Sequence, residues 1–221
     1  MNRIVAFIIA FVVVSNTLQA TETEFEYPSE EVVISKFEAL HIQNLSYSAF
    51  QYALTGYTYY KNQGITQSDT LVIIDFDLPS HVKRMFIVDI ANMVVLDSSL
   101  VAHGKNSGDV NATRFSNKNG SLQSSVGFFV TNEKYIGKHG LSLRLDGLEK
   151  GINSNARMRS VVIHSADYVS EEYIEKYHRI GRSFGCPAIP VKDYEQTLNY
   201  MSSKVLLFIY SSKSGYTPRF Q

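Results

Sequence analysis

The sequence predicts a mostly β domain with flanking helices, preceded by a helical hairpin. Three observations carry that expectation. Apolar residues recur at helical spacing between Ser29 and Asn62. From Thr70 onward, short β-branched and apolar runs are separated by Gly and Asn clusters. Later helical stretches do not alternate with the strands as a parallel α/β fold requires. The 221 residues are enough for one main domain that needs no covalent staple.

Residues 1–20 are set apart from the fold. Arg3 gives a short basic start, Ile4 to Val14 is an unbroken apolar run, and Leu18-Gln19-Ala20 ends on a small residue. This is the pattern of a secretory signal peptide, and the run is short for a membrane span. The expectation is export to the periplasm or cell envelope, with membrane contact only if the segment stays uncleaved. An N-terminal helical segment follows over 21–67. Ser29 caps a helix to Gln43, with Glu30 and Glu31 in its first turn. A second helix runs from Ser46 to Asn62, with Tyr47, Phe50, Leu54 and Tyr57 on one stripe and Gly64 as its stop.

The main domain is expected over 68–221. Strands are predicted at Leu71–Phe76, Met85–Ile90, Met93–Val101, Phe128–Thr131, Ser142–Leu145, Ser160–His164 and Val205–Tyr210, and helices at Ser170–His178 and Lys192–Ser203.

Charge excludes one class of function. With 21 Lys+Arg against 21 Asp+Glu, the chain lacks the basic excess of a general nucleic-acid binder. It also holds a single cysteine, so no internal disulfide can form. In an exported chain, Cys186 is a working thiol, an intermolecular partner or an inert buried residue.

Chemistry-bearing residues concentrate between His164 and Cys186. His164 ends the apolar run Val161-Val162-Ile163, where a strand can hold it rigidly. Cys186 lies between Gly185, which permits unusual backbone angles, and Pro187, which disfavours the α conformation before it. A sharp turn there can expose the sulfur and aim the N–H groups of Phe184, Gly185 and Cys186 at one point. Acyl transfer needs a thiolate, an imidazole to move the proton, and backbone donors for the oxyanion. Ser165 can offer its carbonyl or hydroxyl to the other imidazole nitrogen. The spacing of one His and one Cys does not by itself establish such a pair.

Other chemistries find less support. His103, His139, His164 and Cys186 include no pair at CxxC or HxxxH spacing, so no metal is expected. There is no G-x-S-x-G elbow, P-loop or G-x-G-x-x-G run, and no cofactor is expected.

The run Gly181-Arg182-Ser183-Phe184-Gly185-Cys186-Pro187-Ala188, with Ile163-His164-Ser165-Ala166-Asp167-Tyr168-Val169 upstream, resembles the murein L,D-transpeptidases with a YkuD-like catalytic domain. It is most similar to the branch whose cysteine motif reads S-W-G-C-P-A. Ala102-His103-Gly104-Lys105-Asn106-Ser107-Gly108, Thr113-Arg114-Phe115-Ser116-Asn117, Gly137-Lys138-His139-Gly140 and Leu145-Asp146-Gly147-Leu148-Glu149 extend the resemblance over Leu71 to Tyr210. Phe184 stands in place of that branch's Trp, and Ser165 in place of a common glycine.

The resemblance implies a β-sandwich-like catalytic domain and a cysteine acyltransferase acting on peptidoglycan stem peptides. Cys186 would be the nucleophile and His164 the general base, with Ser165, Gly185 and Phe184 at the neighbouring motif positions. Partners would be a stem peptide as acyl donor and an amine of a second stem as acceptor. With water as acceptor, the same site is an L,D-carboxypeptidase or endopeptidase; a non-catalytic wall-binding module is the remaining alternative. Arg182 either grips a substrate carboxylate or ties down the cysteine loop. Ser183 either orients the thiol or bonds its own backbone. His139 and Arg114 are the further candidates for substrate contact.

Overall fold

The computed structural model describes residues 25–138, 140–202, 204–218 and 220; the signal segment expected at 1–20 and the candidate His139 lie outside them. Two helices come first, α1 (Glu30–Leu40) and α2 (Tyr47–Asn62). Strands β1 (Thr70–Asp75), β2 (Met85–Asp89), β3 (Val94–Ser99), β4 (Gly127–Gly137), β5 (Gly140–Gly147) and β6 (Val162–Ser165) follow. Helix α3 (Glu171–Tyr177), strand β7 (Ala188–Ile189), helix α4 (Tyr194–Tyr200) and strand β8 (Leu206–Tyr210) complete the order.

The helix starts obey the capping signals. Ser29 accepts the Val32 amide and Ser46 accepts the Ala49 amide. The end of α1 differs from expectation. His41 adopts a left-handed conformation (φ 47°) and its amide returns to the Glu38 carbonyl, so the helix stops at Leu40. Helix α4 likewise starts at Tyr194, because Asp193 before it is left-handed (φ 59°).

All eight strands belong to one hydrogen-bonded sheet in the order β3-β2-β1-β8-β4-β5-β6-β7. The β1–β8 and β6–β7 pairs are parallel and the others antiparallel. The sheet curls until its two edges meet: the chain just after β3 pairs with β7 through an Ala102–Ala188 bridge. The expected sandwich-like form is therefore a single sheet closing on itself. Alternation along the strands divides the core accordingly. Val72, Ile74, Ile87, Phe129, Leu143, Ile163 and Leu207 fill the enclosed side. Leu71, Ile73, Val88, Phe128, Leu206 and Phe208 face outward, and the helical hairpin covers them.

Helix α2 presents Ala49, Phe50, Ala53, Leu54 and Tyr57 to that outer face. Each large side chain so buried contributes about 1.5–3 kcal/mol. The closest approach is at Gly56, where an added Cβ would lie 2.0 Å from the Phe128 ring. That ring stacks on Phe208 at 4.3 Å.

Beneath the closing bridge lies a wholly buried arginine. Arg84 donates through Nε and Nη2 to the Val101 carbonyl and through Nη1 to the Leu78 carbonyl. Its Nη2 also lies 2.8 Å from His103 Nδ1. Burial lowers the Arg84 pKa to about 9. Burial first, and the Arg84 charge second, lower that of His103 to about 3. His103 is therefore neutral and structural. The segment it belongs to forms one wall of the cysteine loop.

Candidate active site

The cysteine loop is clamped at both ends by the chain that follows β3. The Ser183 amide donates to the His103 carbonyl, and the Lys105 amide donates to the Ser183 carbonyl. At the far end the Ala102 amide donates to the Ala188 carbonyl. Between these anchors the loop is shaped from within. The Ser183 hydroxyl donates to the Cys186 carbonyl at 2.6 Å and accepts the Gly185 amide at 3.0 Å. Ser124 donates its hydroxyl to the Gly185 carbonyl and accepts the Gly104 amide.

Gly185 sits at φ +126°, a conformation that side chains rarely tolerate. A Cβ there would also lie 2.8 Å from the Gln123 carbonyl oxygen. Because the Gly185 amide is taken by Ser183, it is not a free donor, contrary to the sequence expectation. Among the described residues the amides of Phe184 and Cys186 donate to no other protein group.

His164 is placed by β6, which pairs with β5 on one side and β7 on the other. Its Nδ1 lies 2.9 Å from the Ser165 carbonyl oxygen. A carbonyl only accepts, so Nδ1 carries the proton, and the lone pair of the neutral ring is on Nε2. Ser165 thus acts through its backbone.

His164 and Cys186 line one cavity of about 610 Å³. Tyr135 and Lys138 from the β4–β5 hairpin, Arg159 before β6, and Tyr168 complete its working surface. Cys186 is partly exposed, and its Sγ lies 3.5 Å from the Ser160 carbonyl oxygen. Ser160 itself has φ +54°, so the expected strand start at Ser160 moves to Val162. Burial pushes the Cys186 thiol up. A backbone hydrogen bond at Val162 and the charges of Arg159 and Lys138 pull it partly back. Tyr168 is pushed up to about 12, first by burial and then by the neighbouring Cys186. No acidic side chain lines the cavity among the described residues, whereas Lys138, Arg159 and Arg182 do.

The sequence candidates fall into place unevenly. Phe184 lies at the rim, 65% exposed, with Lys105 Nζ 4.7 Å from its ring centre. Arg182 lines the cavity, but its Nη1 is engaged by the Gly108 carbonyl and by Asp109. It therefore ties the cysteine loop to the Gly108–Asp109 turn. Arg114 is exposed and outside the cavity, because its Nε donates to the Asn106 carbonyl and holds the side chain along its own loop. Lys138 and Tyr168 lie within motifs that carry the resemblance but have no sign of their own, and Arg159 lies outside those motifs. Arg159 in particular sits in the polar run Asn155-Ala156-Arg157-Met158-Arg159-Ser160, which carries no local sign of a site. One enclosure nevertheless is lined by a thiol, an imidazole with its lone pair on Nε2 and two residues, Phe184 and Cys186, whose amides no described group accepts. Those are the groups that acyl transfer to sulfur requires.

The sequence profile of the L,D-transpeptidase catalytic domain matches residues 41–210. No curated protein matches the chain. Similar solved structures include an L,D-transpeptidase from Mycobacterium smegmatis, at 13% identity and TM-score 0.40 over 65% of this chain and 59% of that one. The helical cell shape determining protein Pgp2 from Campylobacter jejuni gives 12% identity and TM-score 0.44 over 67% and 53%. An L,D-transpeptidase from Xylanimonas cellulosilytica gives 13% and 0.36 over 85% and 98%. The chain spans about three fifths of the Mycobacterium smegmatis protein and about half of Pgp2.

Proposed function

Because the chain belongs to the L,D-transpeptidase catalytic domain family, we propose that it is an exported cysteine acyltransferase acting on peptidoglycan stem peptides. The observation that carries this reading is the shared cavity of Cys186 and His164, with the His164 lone pair fixed on Nε2 by the Ser165 carbonyl.

Burial leaves the resting thiol protonated at neutral pH, so the cysteine needs its base. His164 Nε2 takes the thiol proton as the sulfur attacks the donor carbonyl. The Phe184 and Cys186 amides, which no described protein group accepts, are the donors left for the oxyanion, and one such donor contributes about 3 kcal/mol. His164 then returns the proton to the leaving amine, the C–N bond breaks, and the acyl group remains on sulfur as a thioester. A second stem's amine then attacks the thioester, giving its proton to His164 Nε2; the C–S bond breaks and His164 returns that proton to the sulfur, and water in the amine's place gives hydrolysis. The cationic lining suits a donor that carries carboxylates.

The acyl-enzyme itself is the test. Intact-mass measurement of the wild type mixed with disaccharide-tetrapeptide should show a transient adduct on Cys186. His164→Ala should lose it. An adduct formed equally in the absence of Cys186 contradicts the reading.

A further inference from the structure

Arg159 is a half-buried cation without an acid. Its Nη1 donates to the Ser116 carbonyl at 2.7 Å and to Ser125 Oγ at 2.5 Å. Its Nη2 donates to the Gln123 carbonyl at 2.6 Å and to Ser121 Oγ at 3.3 Å. All four partners are neutral, and no carboxylate pairs with it among the described residues. Burying a guanidinium beside neutral acceptors alone is costly, and buried charges are ordinarily paired. Among the described residues that line the cavity, Cys186, Tyr135 and Tyr168 are the groups that can ionise to an anion, and Cys186 is the one whose ionised form the reaction uses; Arg159 lines the cavity with it. The two approach across Gly185, where a Cβ would sit 3.3 Å from Arg159 Nη2.

We propose that Arg159 is the positioning residue of this site: its locked charge holds the Cys186 sulfur as an anion once His164 has taken the proton. The inference rests on Cys186 being the nucleophile. In the step concerned, the S–H proton passes to His164 Nε2 and the electron pair stays on sulfur. Arg159 exchanges no proton. With its terminal donors committed, it acts as a fixed charge rather than by hydrogen bonding to sulfur. The same four bonds pin the Ser116–Ser125 loop, whose Gln123 and Ser124 brace Gly185. Among the described residues, the other titratable groups that share the cavity with the sulfur are Lys138 on the β4–β5 turn, Tyr135 on β4, His164 on β6 and Tyr168 beyond it. Lys138 is exposed to solvent, which screens its charge. Arg182 and Lys105 are engaged at the rim by Asp109 and Phe184.

Cys186 is the sole cysteine, so iodoacetamide consumption across a pH series reports its thiolate directly. Arg159→Met should move the alkylation midpoint up by about one pH unit, a tenfold loss of rate below both midpoints. Arg159→Lys, which keeps the charge and loses the planar fork, should restore most of the shift. Lys138→Met should move the midpoint less. Where Arg159→Met does not fold, Arg159→Gln makes the same neutral comparison. A neutral variant whose profile superimposes on the wild type overturns the proposal. So does an Arg159→Lys profile displaced as far as Arg159→Met, since the fork and not the charge would then matter. Stem-peptide turnover by the same proteins separates the two claims. Turnover lost on Cys186→Ala, with no midpoint shift in the neutral Arg159 variant, overturns the role of Arg159 and leaves the nucleophile standing.

Discussion

The Ser183 hydroxyl donates to the carbonyl of Cys186 at 2.6 Å, closing the cysteine loop on itself. The same oxygen accepts the Gly185 amide. One buried side chain therefore sets the direction of the peptide units on both sides of the sulfur. Ser183→Ala leaves a buried donor and an acceptor unpaired, at a cost of about 1–3 kcal/mol. The expected result is a Tm lower by roughly 2–12 °C, with kcat for stem-peptide turnover reduced. Ser183→Thr, which keeps the hydroxyl, should recover both. Thermal melts and steady-state kinetics check this; an unchanged kcat in the alanine variant would contradict it.

Acid should weaken the fold through His103. Its folded pKa, about 3, lies below the value of about 6.5 for a free histidine. Between those values the unfolded chain binds a proton that the folded chain does not, so stability falls as pH drops from about 6.5 toward 3. Above that window the His103 contribution is constant. His103→Asn retains an acceptor for Arg84 Nη2 and removes the titration. Denaturant titrations from pH 7 to pH 4 should show a shallower loss for the variant. Equal slopes would assign the acid sensitivity to other groups.

Gly56 sets two effects against each other. Alanine in a helix interior gains about 1 kcal/mol over glycine. The added methyl would overlap the Phe128 ring at 2.0 Å, and that ring is already stacked on Phe208 in a fully buried position. Overpacking of this kind costs about 1–3 kcal/mol, so packing wins and Gly56→Ala should lower Tm. A raised Tm would mean that the hairpin can lift from the sheet at little cost.

Much of this architecture is legible from periodicity. The stripe Phe50, Leu54 and Tyr57 marks the buried face of α2, and the runs at Leu71–Phe76 and Val205–Tyr210 mark central strands. The outer half of β4 is not. Asn132, Glu133 and Lys134 are polar and exposed; the ladder with β5 bulges at Asn132 and Glu133 and resumes from Lys134, so only the pairing of Lys134–Gly137 extends the strand. Strand β7 is two residues long and has no pattern to read. In the site, the residues flanking Cys186 and His164 announce themselves through glycine, proline and the end of an apolar run. Arg159 does not, because its role depends on loops that the fold brings together from positions 116–125 and 185. The burial of His103 is not legible either: it stands in a Gly/Asn-rich stretch that looks like an exposed turn, yet it is fully buried against Arg84.

If Cys186 carries the acyl group of a stem peptide, turnover requires its sulfur. Product analysis with purified disaccharide-tetrapeptide, wild type beside Cys186→Ala, checks this. Cross-linked dimer, or tripeptide with free D-alanine if water is the acceptor, is expected from the wild type alone. Equal product from both proteins, or none from either, would contradict it.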